Sequence, residues 1–261
     1  MSDKEIIKRN FSRYARYYDN YSDIQDISGA GLLDELKSDG FRSILDVGCG
    51  TGNYTRLLRE RFPLAKIKAV DISGEMIEVA RGKLRDEKIE FAIRDAEKID
   101  STERINSKEP FDLISSNVSF QWFVDLEKAL LDYKRLLKPG GAILFSTFGP
   151  LTFYELNNAL KNLFKEKKEI DSRRFLKKIR IMKIMKGLFK EVEIKEKIFK
   201  ENHASLRELL KKIKYSGIRG TGIGAKNFWV SKKIDKLERI YKDRFKNIVA
   251  TYQVFLCKGV K

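Results

Sequence analysis

The run ILDVGCGTG at residues 44–52 constrains this chain more than any other stretch: an apolar strand ends in an acid, and three alternating glycines lead into a helical pattern. Glycine lacks a Cβ and tolerates positive φ, so such a turn lets backbone amides approach a ligand closely. A dinucleotide fingerprint spaces its glycines GxGxxG to seat a pyrophosphate. Here GCGTG follows Asp46, which would repel a diphosphate and suits a positive group, such as the ammonium of an amino acid, directly or through water.

Around that turn, β-rich runs at 43–47, 66–71, 89–94, 111–117 and 142–148 alternate with helical patterns at 53–61, 74–85 and 126–137. Alternation of this kind predicts an α/β fold, a doubly wound, mostly parallel sheet with helices on both faces. Ser73 is placed to cap the second helix, and Pro139, Gly140 and Gly141 end the third. After Pro150 the pattern changes to about 40 residues of lysine-rich helix with Leu156, Leu160, Leu163 and Phe164 on one stripe. Residues 191–200 alternate as a strand, and 205–215 put Leu206, Leu209, Leu210 and Ile213 on one helical face, opposite Arg207, Lys211 and Lys214. GIRGTGIG at 217–224 reads as a mobile loop, and 248–257 as a last strand, which makes seven. The 261 residues are expected to form a single domain, in which residues 1–40 cover the ligand and 150–190 form a basic helical cap inserted after strand five.

The carboxyl ends of four neighbouring strands carry polar groups. Asp71 ends the second, 19 positions beyond Gly52, where a carboxylate accepts from ribose hydroxyls. Asp95 and Ala96 follow the third and offer a side-chain oxygen and a backbone N–H to an adenine edge, and Asn117 to Gln121 follow the fourth. A nucleoside joined to an amino acid fits these groups, and S-adenosylmethionine is such a molecule. On these residues the chain resembles the class I methyltransferases over roughly residues 40–148. The resemblance implies Gly48, Gly50 and Gly52, with Cys49 between them, under the methionine part, Asp71 on the ribose, Ile72 and Met76 against adenine, and Asp95 on the adenine amine. Ordinary core packing is the rival reading of Ile72 and Met76.

No cysteine framework or zinc site is available to two cysteines and one histidine, and both Cys49 and Cys257 read as buried apolar residues. His203, the only histidine, reads as structural or exposed, and the end of the fourth strand, SNVSFQW, is not the NPPY-like tetrad used on amide or adenine nitrogens. An acceptor that is already anionic needs no general base, although Asp, Glu, Tyr or Lys remain open as bases. The segments FSRYARYYDNYSDIQ, SNVSFQWFVDLEKAL, STFGPLTFYELNNAL and TYQVFLCKG together resemble the malonyl-acyl-carrier-protein O-methyltransferases of biotin synthesis, over nearly the whole chain and loosely at 161–190. That resemblance implies Tyr18, Gln121 and Trp122 around the acceptor, with Tyr18 closing over the cofactor.

Residues 1–150 carry a net charge of −1 and residues 151–261 one of +18, an asymmetry that suits an acidic acyl carrier protein, or a coenzyme A thioester, as the carrier of the substrate. Compositional drift toward lysine is the plainer alternative. Arg174, Arg207 and Lys214 are candidates to meet the substrate carboxylate or the carrier. Other small acceptors, such as a quinone precursor, RNA, and a non-catalytic cofactor-binding role stay open, although no RNA-binding module is recognisable. The charged N-terminus and the absence of any apolar run near 20 residues predict a cytoplasmic protein without membrane contact.

Overall fold

The computed structural model describes residues 3–98, 109–165, 171–217 and 231–261. Among them, strands β1 (Ser43–Val47), β2 (Lys66–Asp71), β3 (Ile89–Ile93), β4 (Phe111–Ser116), β5 (Leu137–Phe148), β6 (Lys190–His203) and β7 (Ile248–Val260) form one sheet, in the order β3-β2-β1-β4-β5-β7-β6. The first five are parallel, and β7 runs antiparallel to both β5 and β6. Helices α1 (Asp3–Tyr14) and α2 (Asp23–Leu33), joined by a 3-10 turn at Ala15–Tyr21, precede the sheet. Helices α3 (Asn53–Arg61), α4 (Gly74–Lys83) and α5 (Leu126–Leu136) connect its parallel strands. Helices α6 (Tyr154–Phe164) and α7 (Lys178–Leu188) follow β5, and α8 (Leu206–Tyr215) and α9 (Ser231–Phe245) lie between β6 and β7.

The central strand shows why this sequence folds this way. Ile44, Leu45 and Val47 are fully buried, because successive side chains enter opposite layers. Ile44 packs in the core layer that holds Leu32, Leu58, Leu160, Leu209 and Leu237. Leu45 and Val47 pack in the other, with Leu130, Tyr133 and Ile181. At the sheet margin, β6 has the opposite character, with Lys195, Glu196, Lys197 and Lys200 exposed, which discourages pairing with another chain along that edge.

The observed bounds of β1, β2 and α3 are those read from the sequence. Strand β5 begins earlier than expected, at Leu137, because Leu137 already pairs with Phe111; residues 138–141 form a register shift inside the strand rather than the turn before it, with Gly140 at φ +74°. Helix α9 was not expected. Its apolar positions Ile234, Leu237 and Tyr241 are buried at helical spacing against α6 and β7, under a sequence dominated by lysine and arginine. The expected cap region holds α6, a 3-10 turn at Asp171–Arg174 and α7, and Leu156 and Leu160 of the apolar stripe are buried. Of the expected glycine loop, Gly217 has φ +72°, and 218–224 lie outside the described residues.

Helix α8 starts on a side-chain cap: Ser205 Oγ accepts from the Glu208 N–H at 3.2 Å, and the Glu208 carboxylate accepts from the Ala204 N–H at 2.7 Å. Replacing Ser205 by alanine should cost about 1 kcal/mol, read as a lower urea midpoint at unchanged slope.

Candidate active site

The chain leaves β1 toward β2 and β3, then returns to β4 on the other side of β1. Helices connecting the strands diverge at that reversal and leave a crevice at the carboxyl ends, where open α/β sheets bind ligands. The glycine turn lies there. A Cβ on Gly48 would come within 2.2 Å of Ser119 Oγ, and one on Gly52 would press on Leu84 and Ala80 at about 3 Å, so these two glycines admit the loop after β4 and helix α4. At Gly50 nothing lies within 4 Å of the Cβ position, and that residue borders open space.

The Gly50 N–H donates to Asp71 Oδ2 at 3.0 Å, and the Ser73 N–H donates to Asp71 Oδ1 at 2.8 Å. A carboxylate has about four acceptor positions. The positions that the backbone leaves are available to a ligand hydroxyl. Burial holds the Asp71 pKa above its ordinary value despite these backbone donors. Beneath the turn, Asp46 is fully buried: its Oδ2 accepts from Thr55 Oγ1 at 2.6 Å, and its Oδ1 has no partner. Burial lifts the Asp46 pKa to about 7, against the Thr55 hydrogen bond and aided by the charge of Asp71. An orphaned carboxylate oxygen under a glycine turn fits a ligand with a cationic end.

The crevice is partly open to solvent and holds about 750 Å³ of empty space, open solvent included. Of the residues singled out in the sequence, Gly48, Gly50, Asp71, Ile72 and Met76 line it on one side. Asp95, Ala96, Asn117, Tyr18 and Trp122 line it as well. Asp46, Cys49 and Gly52 stand behind the wall: Cys49 is buried, and burial raises its thiol pKa well above the ordinary value. Asn117 spends its carboxamide on the framework, donating to Gln25 O at 2.8 Å and accepting from Ser146 Oγ at 2.6 Å.

Four other candidates are placed away from the wall. Gln121 turns its carboxamide toward the Val118 carbonyl and the end of β5. Arg207 pairs with Asp235 of α9 at 3.1 Å. Lys214 sits over the rings of Tyr14 and Tyr215. Arg174 is exposed, one residue before Phe175, whose ring meets Trp122 edge-on at 5.5 Å. His203 is buried at the end of β6, with Glu201 at 3.6 Å and Glu208 at 4.0 Å, and burial lowers its pKa.

Residues 1–40 were expected to cover the ligand, but no side chain of α1 was singled out. Lys4, Ile7 and Phe11 line the cavity, one helical turn apart, and this spacing was the available signal. Lys4 Nζ bridges Asp95, at 2.7 and 2.9 Å to its two oxygens, and Glu97 at 2.7 Å. Partial burial of Lys4 opposes its charge, but these hydrogen bonds outweigh it and raise the pKa. Thr51 Oγ1 donates to Asp19 at 2.5 Å and so fastens the 3-10 turn that carries Tyr18 onto the glycine turn. Tyr18 keeps its proton: burial first, and then the charge of Asp26, raise its pKa, against a hydrogen bond to Gln25.

Because the folded-state pKa of Asp46 lies above the unfolded value, the folded chain keeps a proton that the unfolded chain releases between about pH 4 and 7. The contribution of Asp46 to stability is therefore largest in acid and declines up to pH 7, by about 1.4 kcal/mol per pKa unit. Asp46→Asn should remove that decline and raise the melting temperature of the ligand-free protein at pH 8 relative to the parent. An unaltered pH profile would contradict the assignment.

A family model described as a methyltransferase domain matches residues 39–212. The chain is 36% identical to malonyl-[acyl-carrier protein] O-methyltransferase 1 of Ilyobacter polytropus over 95% of its own length and 90% of the relative's. It is 35% identical to the malonyl-[acyl-carrier protein] O-methyltransferase of Halalkalibacterium halodurans over 98% and 99%. Among solved structures, the YcgJ protein of Bacillus subtilis superposes with a TM-score of 0.62 at 16% identity, over 90% of this chain and 98% of that one. The phosphoethanolamine N-methyltransferase 2 of Haemonchus contortus, solved with S-adenosylmethionine, superposes with a TM-score of 0.54 at 22% identity, over 89% and 52%.

Proposed function

The chain belongs to the malonyl-[acyl-carrier protein] O-methyltransferase family, and from that premise we propose that it esterifies the free carboxylate of a malonyl thioester, the step that opens pimeloyl synthesis for biotin. It is an S-adenosylmethionine-dependent O-methyltransferase. The observation that carries the substrate reading is the extent of the likeness. Identity at 35% spans 98% of this chain and so includes α1, α6 to α9 and β7, the parts outside the cofactor half of the sheet, where an acceptor is chosen.

The cofactor supplies an electrophilic methyl group on a sulfonium when bound, and the residues' task is alignment. Gly48 and Gly50 bring backbone close to its amino-acid end, with Asp46 beneath as the buried counter-charge. Asp71 accepts from the ribose hydroxyls, Asp95 and Ala96 take the adenine edge, and Ile72 and Met76 pack on the ring. A malonyl carboxylate is anionic at neutral pH and needs no base, in keeping with a wall whose Tyr18 stays a phenol and whose Lys4 is held by carboxylates. Tyr18 donates its hydroxyl to the substrate carboxylate. Arg174, exposed beside the Phe175–Trp122 contact, supplies the cation from the cap.

The carrier docks on α8. Gly217, just past this helix, lies against the Phe11 ring of the cavity wall, which sets the helix end at the cavity mouth. Lys211 rests over Tyr21, and Lys214 over Tyr14 and Tyr215, leaving a cationic face beside that mouth for an acidic partner. The reading places the reaction in the cytoplasm, and no helix among the described residues is long and apolar enough to cross a membrane.

The deciding experiment incubates the protein with S-adenosylmethionine and malonyl-acyl carrier protein and follows the carrier by intact mass. A gain of one methyl that mild base removes is expected, and no gain in a protein that binds the cofactor would overturn the substrate. Asp71→Ala should weaken cofactor binding by about 1 to 3 kcal/mol in calorimetry, through lost charged hydrogen bonds. Joint replacement of Lys211 and Lys214 by glutamate should raise KM for the carrier-bound substrate about tenfold or more at low salt, with the difference shrinking as salt is added.

A further inference from the structure

Val118 lies on the cavity wall, 9% exposed, with φ +43°. A β-branched residue adopts that backbone state only where its surroundings impose it. Both sides of its peptide are held. The Val118 N–H donates to the carbonyl and the hydroxyl of Ser146, at 3.1 and 2.9 Å. The Val118 carbonyl accepts from Gln121 Nε2, while Oε1 of the same carboxamide accepts from Thr147 Oγ1 at 3.3 Å and meets the Phe148 N–H at 3.5 Å, at the end of β5. The next residue, Ser119, packs so closely on the glycine turn that only a glycine fits at position 48. This turn therefore joins the glycine side of the cavity to the side formed by Trp122 and Phe123.

We infer that Gln121 is a positioning residue: by bridging β5 to the Val118 carbonyl it holds the strained wall at the spacing that lines up methyl donor and acceptor. The carboxamide does two opposite jobs, accepting at one end and donating at the other. No smaller side chain reaches both partners, and a carboxylate would repel the Val118 carbonyl. The inference rests on the methyltransferase reading for its consequence in catalysis, but the clamp itself is measurable without substrate.

The test uses the full-length protein carrying Gln121→Ala or Gln121→Glu. In Gln121→Ala, the Val118 amide should exchange its hydrogen about tenfold faster or more, while core amides such as that of Ile143 keep the protection of the parent. With malonyl-acyl carrier protein, kcat should fall about 10- to 100-fold and KM change little, as expected for a misplaced wall and an intact binding site. Gln121→Glu should recover toward the parent below about pH 6, where a protonated carboxyl again donates to the carbonyl, a profile that the parent does not share. If Gln121→Ala fails to fold, Gln121→Glu carries both readouts. Parent-like exchange at Val118 in the alanine variant, or a pH profile of the glutamate variant parallel to the parent's, would overturn the inference. Absence of methyl transfer by the parent would remove the substrate reading and leave the exchange result to decide the clamp.

Discussion

One hydrogen bond organises the site: the Gly50 amide donates to the Asp71 carboxylate. It ties the turn after β1 to the end of β2, and with the Ser73 N–H on the other oxygen it fixes the carboxylate in one orientation. A buried carboxylate without such donors would take up a proton. Because its donors are backbone amides, no side chain has to be ordered to hold Asp71, which lines the cavity. The neighbouring Asp46, with one oxygen left without a partner, adds a second negative site beneath the same turn.

Charge is divided between the two halves of the molecule in a way that suits two different ligands. The cofactor half is almost neutral overall and places its acids at strand ends, whereas residues 151–261 hold the excess of cations. Helix α1 connects the two. Its Lys4 pairs with Asp95 and Glu97, and its Phe11 packs against Gly217 next to α8. Asp95 thus latches the helix from the cavity wall.

The sheet was legible because its signals are local. Strand β1 is apolar apart from Ser43 and Asp46, its glycines follow at once, and Asp71 and Asp95 fall at or just after the ends of β2 and β3, so short local patterns announced the cavity floor. What is carried by distant contacts was not legible. Lys4 meets Asp95 across 91 positions, and nothing in the sequence next to either residue records the other. Gln121 looked like an acceptor contact because it precedes Trp122, but Trp122 faces the cavity while the carboxamide of Gln121 turns to β5, a distinction made by one residue of a 3-10 turn. Arg207 was read as a free cation from its polar helical face, and its partner Asp235 lies on α9, a helix masked in sequence by its lysines.

A crystal structure of the protein with S-adenosylhomocysteine would test the central claim most directly, because it places the nucleoside against named carboxylates. The account predicts both ribose hydroxyls on Asp71, the adenine edge between Asp95 and Ala96, and the amino-acid end over Gly48 and Gly50. A ligand seated elsewhere, or an Asp71 that keeps its backbone donors and touches no hydroxyl, would contradict it.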